Sequence, residues 1–162
     1  MFPATGTLKL PPPPALLSVP ALLGLELFVN RCLAAAVALG DLNFLQSRRL
    51  RIHISDIDFS FDIGFDGRRL QLERSQGAED LHISGGLYEF MLLASHQEDA
   101  ETLFFQRRLQ TEGDTELGLE VKNFLDGQDL SGQPLQRLSE SALGKLTRTI
   151  ELYRRTWRKT TP

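Results

Sequence analysis

The sequence predicts an α+β domain, a mostly antiparallel sheet with helices gathered on it, and three observations point there. From Leu50 onward the apolar residues recur with period two; ahead of and behind that stretch they recur with helical spacing; and the pair Asp66-Gly67 sits as a hairpin signal between two alternating runs. A length of 162 residues suits one domain with an appended helix, and 41% hydrophobic against 24% charged residues describes a chain able to build a core. Disorder throughout, collagen-like repeats and a disulfide-stapled miniprotein are excluded. A lone cysteine, Cys32, cannot bridge within the chain, which fits a reducing compartment.

In chain order, Pro11-Pro12-Pro13-Pro14 forms a stiff segment that neither starts a strand nor sits inside a helix, so residues 1–20 read as a Pro-rich N-terminal segment. Ala21–Leu39 reads as one helix stopped by Gly40. Pro20, Glu26, Asn30 and Arg31 interrupt every window long enough to span a bilayer, and the placement of charges does not suit a signal peptide. Its polar strip (Glu26, Asn30, Arg31) is narrow, so the helix is either a core helix or one that partly faces lipid. Leu50, Ile52 and Ile54 alternate with Arg51, His53 and Ser55; Ile57, Phe59, Phe61 and Ile63 alternate with Asp58, Ser60 and Asp62; Leu70 and Leu72 follow the turn; and Leu81 and Ile83 mark a fourth strand over Asp80–Ser84. Ser84 is the expected cap of a helix near Leu87–Ser95. Leu103–Glu112 reads as the last strand, Asp114 as the N-cap of a helix over Thr115–Asp126, and Gly127 as its stop. Behind a polar loop, residues 134–159 keep apolar positions at a 3–4 spacing from Leu135 to Trp157, an amphipathic helix entered at Pro134.

Charge is divided unevenly. Of 18 basic and 21 acidic residues, six basic and one acidic lie from Lys145 onward, so an acidic body carries a basic tail that anionic surfaces meet first. The net charge of −3 gives no overall attraction for nucleic acid. Catalytic groupings are nearly missing. His53 and His82 fall in different strands, the His53, Asp56, Asp58 group reads as a solvated edge more readily than a metal site, and Cys32 has no activating base nearby. Glu112 and Asp114 read as turn and cap residues, and no metal or other cofactor is expected. Three Arg-Arg-Leu triplets, at 48–50, 68–70 and 107–109, read as charged gatekeepers of the sheet ahead of an anion-binding role. What remains is an excess of large apolar side chains, which fits either a full core or an apolar cavity.

The run Asp99-Ala-Glu-Thr-Leu-Phe-Phe-Gln-Arg-Arg-Leu-Gln-Thr-Glu-Gly-Asp-Thr-Glu-Leu-Gly-Leu-Glu-Val-Lys-Asn-Phe-Leu-Asp126 resembles the hallmark of sterol carrier protein 2 (SCP2) type domains. Together with Leu16–Pro20 and Ile52–Asp58 it is similar, more narrowly, to the accessory factors of oxygen-independent ubiquinone biosynthesis. The resemblance covers roughly residues 15–126 and implies an SCP2-like fold over 21–127, with a five-stranded sheet, covering helices and an apolar tunnel. It implies a non-catalytic role: binding isoprenoid quinone intermediates or phospholipid and presenting them to hydroxylating partners like the iron–sulfur proteins UbiU and UbiV. An adaptor that recruits enzymes without holding lipid is the alternative, and a homo-oligomer is compatible with either.

On this reading the lipid site is expected at Leu25, Phe28, Val29 and Leu33 at one mouth, Leu117, Val121 and Phe124 as a roof, and Phe90 and Met91 beside them. Phe104 and Phe105, on opposite faces of a strand, would divide between the interior and a helix-covered side, and Val121→Asp is expected to abolish lipid retention with the fold kept. The tail residues Arg148, Tyr153, Arg154, Arg155, Trp157 and Arg158 are the candidate contact with an anionic membrane surface, the alternative being a helix packed on its own domain. The expected location is the cytoplasm, peripherally on the inner membrane.

Overall fold

The computed structural model describes residues 15–127, with side chains from residue 19 onward; the proline run, the helix at 134–159 and the candidate membrane contacts lie outside them. Five strands, β1 (Leu50–Ile54), β2 (Phe59–Phe65), β3 (Leu70–Arg74), β4 (Leu81–Gly85) and β5 (Leu109–Gly113), form one sheet in the order β3-β2-β1-β4-β5. All neighbours are antiparallel except β1 and β4, which run parallel. Each Arg-Arg-Leu triplet places its leucine as the first residue of a strand. Leu50, Leu70 and Leu109 are all buried while the arginines stay on the approach.

The register puts Leu50, Ile52, Phe61, Ile63, Leu72, Leu81 and Ile83 on one face and Arg51, His53, Ser60, Asp62 and His82 on the other. The apolar face carries the core, which extends to Leu22, Leu42, Leu45, Leu117 and Val121. The polar face carries the connection from β3 to β4. These two strands run the same way, so the chain must return diagonally across β2 and β1, and it does so in the six residues 75–80. Arg51 holds this crossover with a two-pronged bond to Asp62 (Nε to Oδ1 2.7 Å, Nη2 to Oδ2 3.0 Å), a bond to Glu79 at 2.7 Å and one to the Gly77 carbonyl at 3.1 Å. The Gln76 N–H donates to Asp62 at 3.2 Å.

Three expectations for local structure are corrected. The first helix, α1, runs Ala15–Cys32 through Pro20 instead of starting at Ala21, breaks at Leu33, and is followed by a separate α2 (Ala34–Leu39). Gly40 does stop it, at φ +80°, a left-handed cap that a side chain would strain. Helix α3 (Leu87–Ala94) is capped from a distance: Gly86 occupies the cap position, and the Leu87 N–H donates to both oxygens of Asp56 at 3.1 Å, so Ser84 has no part in it. The predicted strand Leu103–Glu112 is two elements. Its first half belongs to α4 (Ala100–Phe105), capped by Asp99, which accepts from the Thr102 N–H at 2.7 Å; only Leu109–Gly113 is extended. Helix α5 (Thr115–Gly127) starts as expected, with Asp114 accepting from the Leu117 N–H at 3.0 Å.

Of the polar strip of α1, Glu26 and Asn30 face the edge of β3, while Arg31 is exposed. The Asn30 amide donates to the Leu70 carbonyl and accepts from the Leu70 N–H, both at 2.8 Å, and the Glu26 carboxylate accepts from the Leu72 N–H at 2.8 Å. Asn30 thus acts as one residue of a missing sixth strand, closing an edge that would otherwise recruit another chain. Asn30→Leu leaves two backbone groups of Leu70 unpaired and should lower unfolding stability by about 1–3 kcal/mol, read from denaturant melts.

Asp62 is the one buried charged residue in this region, 4% exposed. Burial pushes its carboxyl up, but the Arg51 hydrogen bond, the Gln76 N–H and the Arg51 charge outweigh it and hold it below the ordinary carboxylate range. The unfolded chain therefore binds this proton more readily than the folded one, so the contribution is present above about pH 4 and is lost as pH falls through the lower folded value. Thermal melts from pH 7 to pH 2 should show that loss in the wild type, and Asp62→Asn should show a lower starting stability with a shallower acid slope.

Candidate functional site

The helices do not cover the apolar face evenly. α1 lies along β3, and α5 lies toward β5 and the 3-10 turn Asn43–Leu45. Between them Ile54, Phe59 and Ile63 of β1 and β2, all on the helix-bearing face, are only half-buried. Leu25, Val29 and Leu33 of α1 and Phe104, Phe124 and Leu125 on the α4–α5 side pack against the core and are likewise half-buried. The half-buried Phe59 ring lies 5.9 Å from that of Phe61, which is buried in the core, and Phe44 meets Phe124 at the same separation. The candidate site is this apolar strip of aliphatic and aromatic side chains. It offers no hydrogen-bonding group of its own and discriminates by shape and hydrophobicity.

The expected residues separate into three groups. Leu25, Val29, Leu33, Phe90, Phe104 and Phe124 flank the strip, half-buried against the core. Leu117 and Val121 are 2% and 5% exposed and belong to the core itself, so an aspartate at Val121 tests the fold and not the strip. Phe28 and Met91 are half-buried outside that packed layer. Phe104 and Phe105 are neighbours on helix α4, not on a strand. Lys122 Nζ lies 4.8 Å from the Phe104 ring centre, while Phe105 is 87% exposed and covered by no described helix. Residues that the sequence reading did not include, Ile54, Phe59 and Ile63, form the floor. Their alternation was visible, but which strands the helices leave open is a matter of packing.

The polar groups near the site are occupied structurally. His53 Nδ1 lies 2.7 Å from Ser60 Oγ, Asp56 caps α3, and Asp114 caps α5 while accepting from Arg48 at 3.0 Å. Among the described residues no three His, Cys, Asp or Glu side chains converge on a metal-sized site. Cys32 is buried; burial pushes its thiol up, with Arg31 working against it. Three surface concavities are lined wholly by described residues, of about 550, 450 and 270 Å³, and none includes an expected lipid residue.

A single five-stranded sheet, with the described helices on one face and a half-buried apolar strip between them, defines an α+β domain. The chain belongs to the SCP-2 sterol transfer family, whose model matches residues 29–126. It is 38% identical to the ubiquinone biosynthesis accessory factor UbiT of Escherichia coli (strain K12) over 129 residues, 75% of this chain and 74% of that protein. Among solved structures it resembles the UbiJ-SCP2 ubiquinone synthesis protein with a TM-score of 0.58 at 18% identity, over 68% of this chain and 96% of the other, a likeness of fold. The sterol carrier protein 2 like 2 of Aedes aegypti aligns with a TM-score of 0.45 at 14% identity, over 62% of this chain and 95% of that one.

The half-buried strip should bind an environment-sensitive apolar dye in the native state. Phe59→Ser, at a half-buried position, should lower that fluorescence severalfold while far-ultraviolet circular dichroism stays that of the wild type; unchanged fluorescence would place the dye elsewhere.

Proposed function

We propose that this protein is a non-catalytic lipid-binding accessory factor of ubiquinone biosynthesis. It shelters an isoprenoid quinone intermediate or a membrane phospholipid on the apolar strip and presents it to hydroxylating enzymes of the oxygen-independent route, iron–sulfur proteins of the UbiU and UbiV kind. The single observation that supports this most is the half-buried floor of Ile54, Phe59 and Ile63 in a chain that shares 38% identity with UbiT.

The energetics suit a carrier. A polyprenyl tail exposes apolar surface that water rejects, and each sheltered methylene contributes ~0.8 kcal/mol, so covering about ten recovers roughly 8 kcal/mol. A bilayer offers the tail the same, so exchange between membrane and protein is nearly thermoneutral and needs contact more than driving force. For that contact we propose the tail: Arg148, Arg154, Arg155 and Arg158 against an anionic leaflet at about 1 kcal/mol each near the surface, with Tyr153 and Trp157 at the headgroup level. The protein would then sit peripherally on the inner membrane from the cytoplasmic side.

The second reading, an adaptor that recruits enzymes without internal lipid, draws on α1, whose Val19, Leu23 and Leu27 form an exposed apolar stripe, Leu27 being 74% exposed. Organic extraction of the purified full chain followed by mass spectrometry separates the two. Co-purifying prenylated quinone intermediate or phospholipid at near one equivalent, reduced in Phe59→Ser, supports the carrier; an empty extract supports the adaptor. Deleting residues 148–162 should abolish flotation with anionic liposomes, and unchanged flotation would remove the tail from the mechanism.

A further inference from the structure

The two ends of the sheet differ in polarity. β1 and β4 finish, and β2 and β5 begin, at one end, which carries Ile54, Phe59, Gly85 and Leu109; the other end carries Leu50, Phe65, Leu81 and Gly113. At that second end Leu50, Phe65 and Leu81 are all buried, and the chain around them forms a charged rim. Arg48 pairs there with Asp80 and Asp114, and the turn after β2 carries Asp66, Arg68 and Arg69. At the first end Ile54 and Phe59 are only half-buried, so the apolar strip reaches the margin of the domain.

Two short helices frame this first end. α3 starts just after β4 and over the β1–β2 turn, where the Leu87 N–H donates to Asp56. Residues 106–108 join the end of α4 to β5, and Arg108 ties the two helices together, 3.6 Å from Glu89 of α3 and paired with Glu98 as well. Each helix exposes one aromatic side chain here: Tyr88, 52% exposed, in the first turn of α3, and Phe105, 87% exposed, the last residue of α4. Among the described residues these are the two large aromatic side chains left exposed. The bonds of Asn30 to Leu70 and of Glu26 to Leu72 run α1 antiparallel to β3, so its N-terminal half, with Val19 and Leu23 exposed, extends toward the same end.

Charge at this end is light. Asp56 is engaged as a cap and Glu89 faces Arg108, while Arg74, Arg107 and Asp58 are exposed. An end with aromatic tips, an apolar flank and exposed arginines suits the headgroup layer of a bilayer, where aromatic rings sit at the acyl boundary and guanidinium groups meet phosphate. Continuity with the strip selects a bilayer over a protein surface: a lipid tail passing along Phe59 and Ile54 avoids water only if that margin rests on the leaflet. We propose that this end of the sheet is the membrane-facing end of the domain. Phe105 and Tyr88 enter the headgroup layer of an anionic bilayer, Arg107 and Arg74 meet its phosphates, and the strip opens onto the leaflet. This placement rests on the carrier reading above and adds to it the orientation of the domain.

The test uses the full chain carrying an environment-sensitive fluorophore at Phe105→Cys or, at the opposite end of the sheet, at Arg68→Cys; both positions are exposed and the native Cys32 is buried. Vesicles of mixed phosphatidylethanolamine and phosphatidylglycerol should shift the emission at Phe105→Cys to the blue and raise it severalfold, and should leave that at Arg68→Cys unchanged. Unlabelled Phe105→Glu, at a position too exposed to disturb packing, should float with these vesicles severalfold less than the wild type at equal far-ultraviolet circular dichroism. A chain that floats while the label at Phe105→Cys stays in water overturns this inference and leaves the carrier reading standing. So does a response at Arg68→Cys in its place, Phe105→Glu floating as the wild type does, or a label at Phe105→Cys already shielded before vesicles are added, which would mean that another part of the chain covers this end. A wild type that does not float at all overturns the carrier reading together with this one.

Discussion

The placement of every layer depends on the ion pair between Arg51 and Asp62. A parallel neighbour for β1 requires the chain to cross the sheet between β3 and β4, and a six-residue connection is too short to form a helix that could cover that face. It lies instead as an extended strap whose backbone needs partners. Asp62 and Arg51 supply them, accepting from Gln76 and donating to Gly77 and Glu79. A charge pair this deep offsets its desolvation only where the remaining bonds are also made, and here they are. With one face committed to a polar strap, all the apolar side chains turn to the other. The helices must then gather on one side.

That constraint produces the apolar strip. α1 is engaged at the edge of β3 through Asn30 and Glu26, which directs it along the flank of the sheet and not across its middle. α5 is drawn the other way, tied at its start to Arg48 through Asp114 and at its end to α4, where Asp126 accepts from the Ala100 N–H at 2.8 Å. Between two helices anchored at opposite margins, Leu50, Ile52, Phe61, Leu81 and Ile83 of the central strands are buried, while Ile54, Phe59 and Ile63 stay half-buried. α1 packs Leu22, Leu25, Val29 and Leu33 on the core and still leaves Val19, Leu23 and Leu27 exposed.

Much of this was readable residue by residue. The alternation from Leu50 to Ile83, the Asp66-Gly67 hairpin, the Gly40 stop and the Asp114 cap are local signals that the fold leaves in place, because each depends on backbone sterics or on a side chain a few positions away. The failures have physical reasons as well. Phe104-Phe105 has the composition of a strand, yet Asp99 with Thr102 is a helix cap and Ala100, Leu103 and Phe104 share helical spacing; the cap was the better guide. Leu103 is fully buried on that helix. Asp56 capping α3 across 31 residues, and Asn30 pairing with β3 across 40, leave no local trace at all.

The amino-acid sequence by itself determined that there is one sheet with one wet face and which residues alternate in its first four strands, because period-two alternation and turn chemistry act within a few residues; the family resemblance was carried by the run from Asp99 to Asp126. Only the tertiary structure decided which polar residues are solvated and which replace a strand, which large side chains fill the core and which stay half-buried, and which edge of the sheet α1 closes. Those outcomes depend on which distant surfaces compete for the same backbone hydrogen bonds and the same apolar area. That competition is settled only when the layers meet.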